Sequence, residues 1–155
     1  MTYLVLKFLH VGSMFLGTAL AIGPIALFVL ILRTGDAAVT ARAFRFAQPL
    51  SRAGGVCYGL GVVFGIATAL NGGIDLAAPW LVTAYALLVG LIVANLSADR
   101  WMRRVHAAAA TAVEQPGGQE LEDWRRATGP LWSLVATITL TLALVFVMVV
   151  KPSAF

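Results

Sequence analysis

The sequence predicts an all-α integral membrane protein, a four-helix bundle whose N and C termini are both extracytoplasmic. Three observations predict this class: the composition, the lengths of the apolar runs and the placement of the arginines. Hydrophobic residues make up 60% of the 155 residues and charged residues only 12%, whereas a soluble domain carries about 25% charged residues. A chain of this length accommodates one bundle, so residues 1–155 are predicted to form a single transmembrane domain.

Four apolar runs are each long enough to cross a hydrocarbon core about 30 Å thick, which takes about 20 helical residues. The first run ends at Arg33, the second begins after Arg52, and the fourth is closed by Lys151 and Pro152. The second run meets the length requirement only just. The predicted spans are 8–32, 53–70, 79–97 and 130–150.

The basic residues predict how the bundle is oriented. Of the 11 lysines and arginines, all but Lys7 and Lys151 lie in the connections at 33–52 and 98–129. Because short loops rich in basic residues stay on the cytoplasmic side, both connections are predicted to be cytoplasmic, which places the chain in the bacterial inner membrane as a multi-pass protein. The formal net charge of +4 does not indicate nucleic-acid binding, since the arginines flank apolar segments.

The remaining connections contain local structure of their own. Residues 71–78 make a short extracytoplasmic turn. The alanine-rich segment at 100–115 is predicted to continue the third helix beyond the membrane, because alanine is a strong helix former. Pro116, Gly117 and Gly118 then break the helix. Residues 119–127 are predicted to form a short surface helix with Trp124 directed toward lipid.

The second span is rich in glycine, which favours close packing between helices in lipid. Gly55 and Gly59 are four residues apart, as are Gly61 and Gly65, so each pair lies along one helix face. The spacing predicts that this helix lies at the centre of the bundle.

His10 is the only side chain within the predicted spans that ordinarily titrates near neutral pH. It shares a stripe of the first helix with Lys7, Met14 and Gly17, which leaves room for a flat ligand or another helix. An imidazole that faces the bundle can ligate haem iron, and Lys7 can then pair with a propionate. Met148 lies at a similar depth in the fourth span and is a candidate second ligand. Met14 is another, although two ligands one turn apart on a single helix cannot be axial on opposite sides of one haem.

A second interpretation of His10 needs no cofactor. Residues 8–32 span about 38 Å as a helix, so His10 can lie at the headgroup boundary or hydrogen-bond to a neighbouring helix. Lys7 then extends to water. His106 belongs to the cytoplasmic extension of the third helix and cannot join His10 at one site in the same subunit.

The polar residues of the spans argue against two classes of function. The spans contain no carboxylate, whereas an ion-coupled carrier ordinarily has one within the membrane. They also contain no Ser/His/acid set and no His/Glu set, which argues against a hydrolase. No catalytic residue is assigned from the sequence.

The opening residues Tyr3–Val11 resemble the start of a group of small bacterial membrane proteins, and the closing Val149-Val150-Lys151-Pro152 is similar to the end of the uncharacterised family among them. This group comprises an uncharacterised integral membrane family, the HemJ-type protoporphyrinogen oxidases and the membrane part of CopD-type copper proteins. The resemblance implies that His10 is a haem ligand, as the first-helix histidine is in the HemJ type. That type also implies a basic residue in the later helices, where the third span has only Tyr85 and Asn95. Copper handling would call for more Met, His or Cys at the outer face.

These observations lead to a first hypothesis and two alternatives. The first is a membrane protein that binds haem b through His10, whose metal is the haem iron, in a redox or accessory role. The second is a cofactor-free structural subunit that packs in a homo-oligomer or a larger membrane complex. The third is a metal or small-solute permease. In all three the lipid bilayer surrounds the bundle.

Overall fold

Five helices account for nearly all of the chain in the structure, a computed structural model that describes residues 1–115 and 119–151. The described residues contain no strand, which confirms the all-α class. Four of the helices are long and apolar enough to cross a membrane, as the sequence predicts. The helices are α1 (Thr2–Thr34), α2 (Ala37–Asn71), α3 (Pro79–Glu114), α4 (Gln119–Arg126) and α5 (Gly129–Val150).

Each predicted span lies within one helix. α1, α2 and α3 extend beyond their spans, whereas α5 is only one residue longer than its span. α3 has 36 residues and is therefore about 54 Å long at about 1.5 Å per residue. The extension of the third helix predicted at 100–115 is present as far as Glu114, and so is the short surface helix. The predicted break at 116–118 and the residue Pro152 lie outside the described residues.

The connection predicted at 33–52 is mostly helical. α1 ends at Gly35, which has a left-handed backbone conformation with φ of 77°. Asp36 then caps α2, because its side chain accepts a hydrogen bond of 2.9 Å from the Val39 N–H. Two residues therefore join α1 to α2 in an antiparallel hairpin. Of the arginines in this region, Arg33 lies in the last turn of α1, and Arg42, Arg45 and Arg52 lie in the first half of α2.

The hairpin packs through glycines, but not all of those that the sequence predicts. A Cβ at Gly54 would lie 3.1–3.2 Å from backbone atoms of Leu20 and Ala21, and one at Gly61 would lie 2.5 Å from the Met14 Sδ. At Gly55 and Gly59, by contrast, an added Cβ would meet nothing within 4 Å. The predicted packing role is therefore correct for Gly61 and Gly65 and wrong for the other pair, which faces away from α1.

One end of the molecule, which we call the arginine-rich end, contains the larger core cluster. Phe28 is fully buried and packs against Phe44 and Trp101, with ring centroids 6.1 and 5.8 Å away. His106 stacks on Phe44 at 4.4 Å between centroids. The cluster is formed by residues from α1 to α4: Ile25, Phe28, Val29, Leu32, Phe44, Ala98, Trp101, Met102, Val105, Ala108, Ala109 and Leu121.

The short helix α4 closes this end. Leu121 is buried, and Trp124 packs partly buried against the same cluster, so part of the Trp124 side chain is directed toward the core rather than toward lipid. The Arg33 guanidinium donates to the carbonyl oxygens of Arg125 at 2.7 Å and Ala127 at 3.2 Å, which fixes the end of α4 to the end of α1. Hydrogen bonds from Arg125, and then from Arg126, lower the pKa of Glu122 to about 2.

Candidate cofactor site

His10 makes a hydrogen bond that joins α1 to α2. Its Nδ1 lies 2.6 Å from the carbonyl oxygen of Gly61. Because a carbonyl can only accept, Nδ1 carries the proton and donates it. In the neutral ring the other nitrogen, Nε2, then keeps a free lone pair, and the contact at Nδ1 fixes the orientation of the imidazole.

Gly65 makes room for this contact. An added Cβ at Gly65 would lie 2.9 Å from both Nδ1 and Cε1 of His10, closer than side chains can approach. The imidazole therefore lies directly on the α2 backbone at Gly65, while Nδ1 reaches the carbonyl one turn earlier. The sequence predicted the glycine face and the histidine separately, and the structure brings the two together.

The sequence predicted that Gly17 leaves room for a flat ligand or another helix. In the structure α2 takes up this room. A Cβ at Gly17 would lie 3.1 Å from the Tyr58 ring. The Tyr58 hydroxyl is 3.1 Å from the Thr18 hydroxyl, so a hydrogen bond joins the two helices here as well. Gly17 therefore leaves no space for a ligand, and the open space next to His10 is formed by other residues.

That space is a cavity of about 480 Å³ between α1, α2, α3 and α5, which we call the His10 cavity. Ligand sites in proteins ordinarily occupy about 300–1,000 Å³. Most of the lining surface is apolar. The lining side chains with polar, sulfur or aromatic groups are Tyr3, Lys7, His10, Met14, Thr68, Trp80, Tyr85, Met148 and Lys151.

The three residues predicted to bind a cofactor all line this one cavity. Lys7, His10 and Met148 come from opposite ends of the chain, and the predicted equal depth of His10 and Met148 agrees with their meeting here. Met14, the alternative second ligand, lines the cavity too. Its sulfur lies against Gly61, where an added Cβ would be 2.5 Å away.

Lys151 is a cavity residue that the sequence interpretation assigned only to the end of the fourth span. Its ammonium lies 5.3 Å from the centre of the Trp80 ring, a distance typical of a cation–π contact. The signal was present in the spacing, because Lys151 follows Met148 by three residues and so lies on the same helix face. Among the residues that the structure describes, two lysines and no carboxylate line the His10 cavity, which favours an anionic group on a ligand.

The site differs from a site for a bare metal ion. Within the residues that the structure describes, no group of three or more His, Cys, Asp or Glu could hold one. His106 lies in the cluster at the arginine-rich end and does not take part, as the sequence predicts. A metal bound at His10 would need most of its remaining ligands from elsewhere, and the porphyrin of a haem supplies four of them.

Comparison with known proteins adds no relative to this picture. No protein-family model, no curated protein and no solved structure matches the chain. The resemblance to the HemJ and CopD groups therefore stays a prediction.

Proposed function

We propose that this chain is a multi-pass membrane protein that binds haem b through Nε2 of His10. The observation that carries the proposal is the hydrogen bond from Nδ1 to the Gly61 carbonyl. Ligating histidines ordinarily donate their other ring nitrogen to a carbonyl or carboxylate, which orients the ring and makes the ligating nitrogen more basic. His10 has this arrangement, and it lines a cavity of suitable size.

The other polar groups of the cavity have roles that follow from their chemistry. The ammonium groups of Lys7 and Lys151 would pair with the two propionates of a haem, and the aliphatic lining would exclude water from its faces. Met148 is the candidate second ligand because it lines the same cavity as His10. A thioether ligand would raise the reduction potential of the haem iron. Haem b, when bound, supplies one-electron chemistry, and the protein's redox or accessory role rests on it.

The test is a titration of haem into the purified wild-type protein in detergent. We expect a Soret band that grows to saturation at one haem per chain. A linear rise that never saturates, equal to that of empty micelles, would contradict the proposal.

A second candidate function is a structural subunit without a cofactor. The same hydrogen bond favours it, because His10 pins α1 to α2 and could serve that role alone. This function predicts a colourless protein that does not take up haem, and co-purification with partners in a fixed ratio. The titration therefore separates the two candidates.

We further propose that the arginine-rich end faces the cytoplasm in a bacterial inner membrane, since basic residues in short loops favour that side. The test uses single cysteines in a Cys57→Ser background at two exposed positions, Ala77→Cys and Thr111→Cys. In intact spheroplasts, a membrane-impermeant maleimide is expected to label position 77 and to reach position 111 only after the membrane is permeabilised. The reverse pattern would invert the topology.

A further inference from the structure

A second cavity, about 410 Å³, lies between α2 and α3 on the side toward the arginine-rich end. We call it the α2–α3 groove. Its floor is formed by Ala21 and Tyr58, and its apolar wall on α3 includes Leu88, Ile92 and Leu96. It touches the His10 cavity only through Val62 and Leu88, which line both.

The groove exists because two glycines leave the α2 wall without side chains. Gly55 and Gly59 line it, and a Cβ added at either would meet nothing within 4 Å. The glycines are one turn apart, so their missing side chains open one continuous channel along α2. This is the glycine pair that does not contact α1, and its space is filled by no part of the chain that the structure describes.

The end of the groove nearest the arginine-rich end is polar and basic. Asp99 accepts hydrogen bonds from Arg103 on the same helix, so these two charges largely cancel. Arg52 lines the groove and is exposed, and among the described residues it has no carboxylate partner. The polar end therefore carries a net positive charge next to an apolar channel.

We propose that the α2–α3 groove binds an anionic phospholipid, with an acyl chain against Gly55 and Gly59 and the phosphate at Arg52. A guanidinium pairs well with phosphate oxygens. Basic pockets between membrane helices on the cytoplasmic side bind anionic headgroups. The charge at one end and the apolar channel beyond it match the two parts of such a lipid. This site does not depend on haem binding at His10.

The test is native mass spectrometry of the detergent-purified protein with phosphatidylglycerol or phosphatidylcholine of matched acyl chains. The wild type is expected to retain phosphatidylglycerol in preference. Arg52→Gln is expected to weaken that retention about fivefold, since one basic residue contributes about 1 kcal/mol to the attraction of anionic lipid. Gly59→Leu fills the channel and is expected to abolish the retention of both lipids.

Two matched controls accompany these variants. Arg45→Gln removes an exposed arginine of the same helix that does not line the groove, and Gly12→Leu adds a side chain in open space on α1. Both are expected to retain lipid as the wild type does. Equal retention of the two lipids by the wild type, or unchanged retention in Arg52→Gln, would overturn the proposal. So would a wild-type dimer that Gly59→Leu dissociates, because the groove would then hold a second copy of the chain.

Discussion

The His10→Ala variant is expected to lose more than about 100-fold in haem affinity, because loss of even an outer partner of a ligand costs about 10–100-fold. The substitution removes both Nε2, the proposed iron ligand, and the hydrogen bond from Nδ1 to the Gly61 carbonyl. The measurement is the titration of haem into the purified variant, followed at the Soret band. A wild-type affinity in this variant would show that haem binds elsewhere.

Two further variants show whether the loss comes from the site or from a damaged fold. Gly65→Ala keeps the imidazole but places a Cβ 2.9 Å from it, so the ring must move away from the Gly61 carbonyl. We expect this variant to bind haem about 10–100-fold more weakly than the wild type. His106→Ala makes the same chemical change at the other end of the molecule and is expected to bind normally. Equal losses at His10 and His106 would point to the fold.

The Gly54→Leu variant is expected to lose about 1–3 kcal/mol of unfolding free energy, the usual cost of overpacking a well-packed site. Its Cβ would lie 3.1–3.2 Å from the backbone of Leu20 and Ala21. A backbone cannot rotate aside as a side chain can, so α1 and α2 must separate along their length. In lipid, close backbone approach through small residues is a main source of helix association.

The adjacent glycine provides the matched control. Gly55→Leu adds the same side chain one residue later, where a Cβ meets nothing within 4 Å. It is expected to leave the unfolding free energy within about 0.5 kcal/mol of the wild type, as surface substitutions do. The measurement is denaturant or thermal unfolding in detergent, followed by circular dichroism. Equal destabilisation by the two variants would contradict the orientation of α2 in the structure, in which Gly54 faces α1 and Gly55 does not.

The positions of the four long helices could be predicted from the sequence because apolar length alone determines them. The predicted start at Pro79 agrees with α3, since proline is favoured in the first turn of a helix. The predicted start at 119 agrees with α4, since it follows a proline and two glycines in the sequence. The predicted second span, 53–70, lies within α2, but the helix itself begins 16 residues earlier, at Ala37. The charged residues there resemble a loop, whereas the N-cap signal at Asp36 is a single residue.

The neighbours of the glycines could not be predicted from the sequence. Spacing shows which residues share a helix face but not what that face contacts. Gly54 and Gly61 contact α1 while Gly55 and Gly59 face the groove, and both pairs are consistent with a small-residue pattern. Trp124 shows the same limit. A tryptophan on a short amphipathic helix fits lipid or a core cluster equally well until the neighbours are known.

The candidate site was partly predictable. Counting residues from each helix end gave His10 and Met148 similar depths, with Lys7 one turn closer to the outer surface, and all three line one cavity in the structure. The partner of His10 could not be found this way, because a backbone carbonyl 51 residues away carries no side-chain signal. The place of Lys151 in the cavity was missed, because a lysine at the end of a span is already explained by its position at the membrane surface.

The visible absorption spectrum of the wild-type protein, purified from cells supplied with a haem precursor, tests the central claim most directly. If His10 holds haem in its cavity, the protein is isolated coloured, with a Soret band at about one haem per chain that is absent from His10→Ala. A wild-type preparation that is colourless, and stays colourless when haem is added, would contradict the account.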